Sequence, residues 1–458
     1  MLNSSIFREY DIRGVVGQDF DEAGVTLLGQ AFATKVKRMT GGSTLVLGYD
    51  GRLSSPELET ALIKGFKAAG ADVISIGCGP TPLLYFASHY FKAHGALMIT
   101  GSHNPPEYNG FKMVIDQQAL FGSEIQELET LITTNDLITD QEAGNHRVEN
   151  LHNEYVQCLV SDFTTHYSNI NVRVAWDPGN GATGEVVQDL LAQIEGEHYL
   201  INGDIDGTFP AHHPDPTVEE NLEQLVELVD HMDCDFGIAF DGDGDRIGVV
   251  DDKGRILFGD QLMALFAEEV LASHPKATII ADVKTSQRLF DYVKELGGEP
   301  LMWRTGHSLI KKKMREVGSP LAGEMSGHIF FADRYYGYDD ALYAALRFIG
   351  ILSAKGIKLS RWIDELPPVF NTPEIRIPCE HLDKFAVAKA VQACLDRDGV
   401  LYNSVDGVRV LTEKGWWLLR ASNTQEILVA RAEANSQDEL DKSLDAIENY
   451  LKRAGLEP

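Results

Sequence analysis

One local pattern constrains the fold more than any other feature of this chain. An apolar, β-branched run is followed by a polar or glycine-rich turn, an amphipathic stretch, a glycine-containing break and a second apolar run. The pattern occurs at 44–50, 55–69 and 73–76, again at 172–176, 185–194 and 198–201, and a third time at 278–281, 286–295 and 300–303. Short apolar runs bounded by turn residues suit buried strands, and a longer stretch with helical periodicity suits a covering helix, so each triplet predicts a βαβ unit. The copies lie roughly 100 to 130 residues apart, far beyond solenoid periods, which makes the repeat one of whole α/β domains. At about 150 residues per domain, 458 residues suggest three units, with two or four as neighbours. After Pro367-Pro368 the pattern changes. A strand-like 374–377, a helical 382–395, strands near 407–411, 416–420 and 427–432, and an amphipathic 437–451 predict a smaller α+β domain.

Composition narrows the partners. Asp and Glu outnumber Lys and Arg by 69 to 40, a formal charge of −29, and such a field repels DNA, RNA and anionic membranes. Neither nucleic acid nor membrane is therefore expected as a partner. An anionic ligand has to be held at short range by clustered Arg, Lys and backbone N–H groups. The five cysteines, Cys78, Cys158, Cys234, Cys379 and Cys394, are odd in number and form no CxxC, so reduced core thiols are expected rather than disulfides or a zinc knuckle. Arg8, Glu9, Asp11 and Arg13 precede any apolar run long enough for a leader, and the apolar 341–354 carries Arg347; a cytoplasmic protein is expected.

Four loops carry chemistry. Directly after the apolar 236–239 stands Phe240-Asp241-Gly242-Asp243-Gly244-Asp245-Arg246. In extended backbone, residues i, i+2 and i+4 point to one side, so three carboxylates converge while the glycines let the chain curl. Converging carboxylates require a cation, and all-oxygen ligation with positions left for phosphate oxygen or water suits Mg2+ better than caged Ca2+. An EF-hand is excluded because its sixth position holds Arg246 and its twelfth Asp252. A solvated Asp-Gly turn is the alternative reading. The run 95–100 leads into Gly101-Ser102-His103-Asn104-Pro105-Pro106-Glu107-Tyr108-Asn109-Gly110-Phe111-Lys112. Ser102 follows a strand C-terminus, where α/β sheets place ligands, which suits a presented nucleophile and equally an ordinary turn serine. There is no GxSxG elbow, which disfavours α/β-hydrolase chemistry.

The third loop, Gly323-Glu324-Met325-Ser326-Gly327-His328, follows Thr305-Gly306-His307; alternating Glu324, Ser326 and His328 suit vicinal sugar hydroxyls, or a helix cap with a satisfied histidine. The fourth, Arg420-Ala421-Ser422-Asn423-Thr424, is rich in donors and suits a phosphate oxyanion, or a ligand-free β-turn. A decoy is Gly179-Asn180-Gly181-Ala182-Thr183-Gly184 with Asp204 about 20 residues on, which matches the dinucleotide fingerprint. Asp177-Pro178 intervenes between strand and glycines, and the unit lies mid-chain, so a nicotinamide or flavin role is disfavoured. Neither a Walker A loop nor HExxH occurs.

Taken in order, Tyr10-Asp11-Ile12-Arg13-Gly14, 100–112, 241–246, 323–328 and 420–424 resemble the α-D-phosphohexomutases over essentially the whole chain, and 323–328 resembles their bacterial phosphomannomutase/phosphoglucomutase branch. The resemblance implies an α/β fold of four domains around a central cleft. Three are topologically similar: 1–150 with a phosphoserine loop, 151–253 with a metal loop and 254–366 with a sugar-binding loop. The fourth, 367–458, is a smaller α+β domain with a phosphate-binding loop. It further implies that Ser102 is the phosphoserine and that Asp241, Asp243 and Asp245 hold Mg2+ together with phosphoserine oxygen. Arg246 lies against the phosphoserine or the sugar. Lys112, His307 and His328 are acid/base candidates, and Lys284 is a substrate contact. Glu324 and Ser326 bind sugar hydroxyls, and Arg420, Ser422, Asn423 and Thr424 grip the unreacting phosphate. Tyr10 and Arg13 line the entrance. The implied reaction converts mannose or glucose 1-phosphate reversibly to the 6-phosphate through a 1,6-bisphosphate, with glucose 1,6-bisphosphate or mannose 1,6-bisphosphate as activator. A monomer is expected.

The family's last loop carries a Pro two residues after Thr424, where this chain has Glu426; a carboxylate there repels phosphate unless it points away. Two other functions fit parts of the pattern. A haloacid-type phosphatase would use Asp241 as nucleophile in DxDx[TV], although position 244 is Gly. A non-catalytic sugar-phosphate sensor would bind hexose phosphate without phosphate on Ser102.

Overall fold

A computed structural model of the chain describes residues 2–140, 142–366, 368–379, 382–423 and 425–456; Pro367 and Thr424, both named above, lie outside the described residues. The repeat takes the form of three sheets with one topology. In each, a central strand (Thr44–Tyr49, Arg173–Asp177 or Thr278–Asp282) runs parallel to the next strand in sequence (Asp72–Cys78, Glu197–Leu200 or Glu299–Trp303). On its other side lies a third parallel strand (Gly95–Ile99, Phe236–Phe240 or Leu321–Gly323). The chain then reverses into an antiparallel neighbour (Tyr108–Ile115, Ile247–Asp251 or Ile329–Phe331). The first sheet is widened by Ile12–Val15 and His146–Val148 at its two edges.

The crossover helices form where apolar side chains recur three and four apart: Ser55–Ala68 buries Leu58, Leu62 and Phe66, Gly184–Leu191 buries Val186, Val187 and Leu190, and Gln287–Glu295 buries Leu289, Phe290 and Val293. The fourth unit is an antiparallel sheet. Phe370–Asn371 and Ile375–Pro378 pair with Ile427–Ala434, which continues to Gly415–Ala421 and Val408–Leu411. Helices Lys384–Asp398 and Gln437–Arg453 pack on it and on each other. The first of these begins two residues later than the expected 382, because the Asp383 carboxylate accepts the Phe385 N–H and caps it there.

One apolar core runs through the first three sheets, joining Val46 and Met98 to Trp176, Phe236 and Ile238 and to Ile279, Leu321 and Phe331. Helix Ala341–Lys355 crosses its middle, where the Phe348 ring meets Phe236 edge-on at 5.2 Å and Phe266 at 6.3 Å. The fourth unit has its own core. It meets the third through a small apolar contact of Val283, Trp416 and Leu418, and through the buried Arg409, which donates to the carbonyls of Val283 at 2.6 Å and Thr285 at 2.7 Å.

Phe348→Ala removes the ring that ties the second sheet to the third unit. It should cost about 3–5 kcal/mol, read as a lower urea midpoint by far-UV circular dichroism; an unchanged midpoint would mean that the three sheets do not depend on a shared core.

Candidate active site

Three of the four loops expected to carry chemistry occupy one topological position. Residues 100–107, 241–246 and 324–328 each turn the chain from the third parallel strand into the antiparallel strand. The carboxyl ends of parallel strands are where open α/β sheets form ligand crevices. The loops touch: a Cβ on Gly242 would lie 2.4 Å from the Ser102 carbonyl oxygen, and Ile247 N–H donates to the Gly327 carbonyl at 3.1 Å.

Ser102 is 2% exposed and has φ +49°, a left-handed conformation uncommon outside glycine. Its hydroxyl donates to Asp241 Oδ2 at 2.8 Å, and His103 Nδ1 lies 3.1 Å from it. A buried arginine enforces this backbone. Arg52 donates to the carbonyls of Ser102 (2.8 Å), Asn104, Pro105 (2.6 Å) and Tyr108 (2.9 Å) and pairs with Asp50 at 3.2 Å. Burial draws Arg52 below its ordinary pKa, against the pull of Asp50.

Asp241, Asp243 and Asp245 are fully buried, each offering an oxygen within 4.8 Å of the others'. Asp241 Oδ1 accepts the N–H groups of Asp245 and Arg246, both at 3.1 Å. Asp243 Oδ2 accepts from Thr81 and, at 2.6 Å, from Lys112, whose ammonium also bonds Asp245 Oδ2. Burial and the charges of Asp243 and Asp245 push Asp241 well above the carboxylate range. Burial acts the same way on Asp243, but Lys112 and Thr81 outweigh it and hold that carboxyl down. For Lys112 burial favours the neutral amine, and the three carboxylates overcome it. Asp243 Oδ1 and Asp245 Oδ1 are buried with no hydrogen-bond partner, at about 1–3 kcal/mol each. Orphaned carboxylate oxygens in an all-oxygen donor set fit a hard divalent cation such as Mg2+.

Arg246 carries the network into the third unit: its Nε donates to His328 Nε2 at 2.9 Å, and His328 Nδ1 lies 3.0 Å from Asp339 Oδ2. The His307 ring stacks on His328 at 5.3 Å, and burial followed by Lys311 holds its pKa well below the usual histidine value. Glu324 accepts the Gly306 N–H at 2.6 Å, and Ser326 is half-buried in the same loop. Gly306, at φ +130°, lets Tyr10 approach: a Cβ there would lie 2.7 Å from the phenol ring. Tyr10 donates to the Thr305 carbonyl at 2.8 Å and accepts from Asn423 of the fourth unit. Arg13 bonds Asp11 and Asn104.

In the fourth unit, Arg420 pairs with Asp406 at 2.9 Å and Ser422 accepts the Gln425 N–H at 3.2 Å. Lys284 pairs with Glu374 at 2.7 Å and is the main reason that Glu374 sits at about 2. Glu426 points away from this loop, its side chain 80% exposed and paired with Lys384 at 2.9 Å. Contacts thus connect Ser102 through Asp241, Arg246 and His328 on one side of the site, and Tyr10 through Asn423 on the other. The glycine-rich decoy is occupied with bracing: Ala182 N–H donates to the Gly242 carbonyl at 2.9 Å, and Asp177 accepts from Gly179, Asn202 and His212.

Sequence reasoning missed Arg52, Thr81, Lys311, Asp339, Glu374 and Asp406. The only local signals were Asp50-Gly51-Arg52 after a central strand and Asp339-Asp340 before an apolar helix.

Models of the phosphoglucomutase/phosphomannomutase family match the chain in four consecutive blocks: alpha/beta/alpha domain I over 4–139, domain II over 153–254, domain III over 258–370 and the C-terminal domain over 374–449. The phosphomannomutase/phosphoglucomutase of Pseudomonas putida is 43% identical over 99% of this chain and 96% of its own length. The phosphoglucomutase of Neisseria meningitidis serogroup A is 40% identical over 98% and 96%. A crystal structure of a phosphoglucomutase/phosphomannomutase family protein from Burkholderia thailandensis superimposes with a TM-score of 0.93 at 41% identity, covering 99% of this chain and 98% of that one.

Mg2+ at about 100 times its dissociation constant should stabilise the folded protein by about 2.7 kcal/mol, visible as a higher melting temperature, and Asp243→Asn should abolish the rise. An equal rise in both proteins would place the cation elsewhere.

Proposed function

The chain belongs to the phosphoglucomutase/phosphomannomutase family, all four of whose domains it carries, and we propose that Ser102 is the residue through which it passes a phosphoryl group between O1 and O6 of a hexose. The enzyme interconverts mannose or glucose 1-phosphate with the 6-phosphate, reversibly and through the 1,6-bisphosphate. The observation that carries this reading is the Ser102 hydroxyl, 2.8 Å from Asp241 at the centre of a buried carboxylate cluster.

Phosphoryl transfer asks a protein chiefly for positioning and charge stabilisation. With Ser102 phosphorylated, the P–Oγ bond breaks as the free sugar hydroxyl bonds to phosphorus, and the hydroxyl proton passes to His328 Nε2. Arg246, which donates to that nitrogen in this structure, gives it up to the proton and offsets charge on the transferring oxygens. Lys112 cannot take the proton, because Asp243 and Asp245 keep it an ammonium; His307 stacks behind His328. Mg2+ held by Asp241, Asp243 and Asp245 supplies Lewis-acid stabilisation of the same oxygens. Arg420, Ser422 and Asn423, with Thr424, grip the other phosphate; being generic donors, they hold either end of the sugar, so the bisphosphate can turn and return its second phosphate to Ser102. Glu324 and Ser326 hold sugar hydroxyls, Lys284 reaches the sugar phosphate, and Tyr10 and Arg13 guard the entrance. Glucose or mannose 1,6-bisphosphate primes Ser102.

Burial of Ser102 keeps water from its phosphate. A haloacid-type phosphatase is disfavoured by Asp241 itself, whose Oδ2 is engaged by Ser102 and whose Oδ1 accepts two backbone N–H groups. Five free thiols support a cytoplasmic setting, and among the described residues no helix is long and apolar enough to cross a membrane.

With Mg2+ and a trace of glucose 1,6-bisphosphate, the parent should convert glucose 1-phosphate and mannose 1-phosphate to the 6-phosphates with little inorganic phosphate, followed by 31P NMR. Ser102→Ala should lose on the order of 1,000-fold or more in kcat. Full turnover in that variant, or free phosphate as the main product, would refute the serine route.

A further inference from the structure

Asp339 is fully buried beside two histidines and a lysine. Its Oδ2 lies 3.0 Å from His328 Nδ1 and 3.6 Å from His307 Nδ1, while its Oδ1 accepts from Lys311 Nζ at 2.7 Å. Lys311 is seated in turn over the Tyr85 ring at 4.4 Å. The backbone fixes this carboxylate on both sides. Asp339 forms an antiparallel bridge with Phe330, two residues beyond His328, and Asp340 caps helix Ala341–Lys355 by accepting the Tyr343 N–H at 2.9 Å. Burial alone would raise the Asp339 pKa; the neighbouring Lys311 and His328 outweigh it and hold the carboxyl well below the usual range. On the far side of the imidazole, Arg246 Nε–H donates to His328 Nε2 at 2.9 Å. Arginine has no acceptor and stays protonated, so Nε2 carries the lone pair and the ring proton of neutral His328 sits on Nδ1, with Asp339 Oδ2 at 3.0 Å and Asp245 Oδ1 farther off at 3.6 Å.

We propose that Asp339 is a positioning residue whose carboxylate holds His328 as the Nδ1–H tautomer, so that Nε2 is the atom that takes the proton of the sugar hydroxyl. The inference rests on the reading of His328 as proton acceptor. In the step itself the Arg246 Nε–H, which holds the Nε2 lone pair in this structure, turns to the transferring oxygens; the O–H proton then moves to Nε2, its electron pair stays on the oxygen that attacks phosphorus, and the imidazolium keeps its Nδ1–H on a negative partner. A buried carboxylate behind a catalytic histidine works by orientation and by stabilising that cation.

Lys311 makes the test specific. In Asp339→Asn the lysine still needs an acceptor, so the amide oxygen turns to it and the amide N–H faces His328 Nδ1. The amide donor then presses the ring proton toward Nε2, against the Arg246 donor and the more distant Asp245 Oδ1, 3.6 Å from Nδ1.

The experiment is long-range 15N–1H NMR of the full-length protein labelled at histidine ring nitrogens, with His328 assigned from the His328→Gln spectrum. Steady-state kinetics on glucose 1-phosphate with Mg2+ and catalytic glucose 1,6-bisphosphate accompany it. His328 should be the Nδ1–H tautomer in the parent and Nε2–H in Asp339→Asn, with kcat down roughly 100-fold and both KM and the Mg2+-induced rise in melting temperature unchanged. Asp339→Glu should recover the parent tautomer and much of kcat. An Nε2–H tautomer in the parent, which needs no variant to observe, or an unchanged tautomer in Asp339→Asn overturns the proposal. Parent-level turnover in Asp339→Asn alongside loss in His328→Ala overturns it while leaving His328 as the acceptor. Parent-level turnover in His328→Ala overturns the reading of His328 and the catalytic part of the proposal together.

Discussion

Three ionisable carboxyls, Asp241, Asp243 and Asp245, sit together out of contact with water. Removing ionised groups from water costs several kcal/mol each unless opposite charge and hydrogen-bond donors take water's place. Much of the centre of the molecule is arranged to supply them. Lys112 arrives from the antiparallel strand of the first sheet and Thr81 from a helix of the same unit, so neutralising the second unit's carboxylates also fastens the first unit to it. Beyond them, Arg246, His328, Asp339 and Lys311 continue as groups of alternating character into the third unit. Oxygens are left over, on Asp243 and Asp245, that no donor satisfies.

The repeated topology explains why such different chemistries meet. Each of the first three units reverses its chain at the same point of its sheet, and that shared topology puts a serine, a carboxylate cluster and a histidine on equivalent turns. The fourth unit is attached differently. Its separate core, small apolar contact and arginine-to-carbonyl bonds form the kind of interface across which domains move relative to one another, while Asn423 touches the first unit at Tyr10.

Local patterning made much of this readable. The spacing at 241–246 announced the three carboxylates, although a tight turn with Gly244 at φ +75°, not extended alternation, gathers them; short apolar runs flanking amphipathic stretches located the strands and helices of each unit to within a few residues. The supporting residues were hidden because their significance is not local. Arg52 organises a loop that begins 50 residues away, Lys112 meets Asp243 across 131, and neither separation follows from any helix or strand period. Glu426 illustrates the converse: beside a phosphate-binding motif the sequence alone makes it a source of repulsion, and the folded chain removes the conflict by turning it outward to Lys384.

The amino-acid sequence by itself determined the class of fold, the number of repeated units and the identity of the chemical loops, because periodicity and turn residues act over a few positions and survive without any neighbour. Only the tertiary structure decided which groups are charged, which oxygens lack a donor and which groups face each nitrogen of His328. Those properties depend on burial and on partners supplied by other units, and at separations of about 3 Å inside a protein the partner, not the residue type, sets the electrostatic energy.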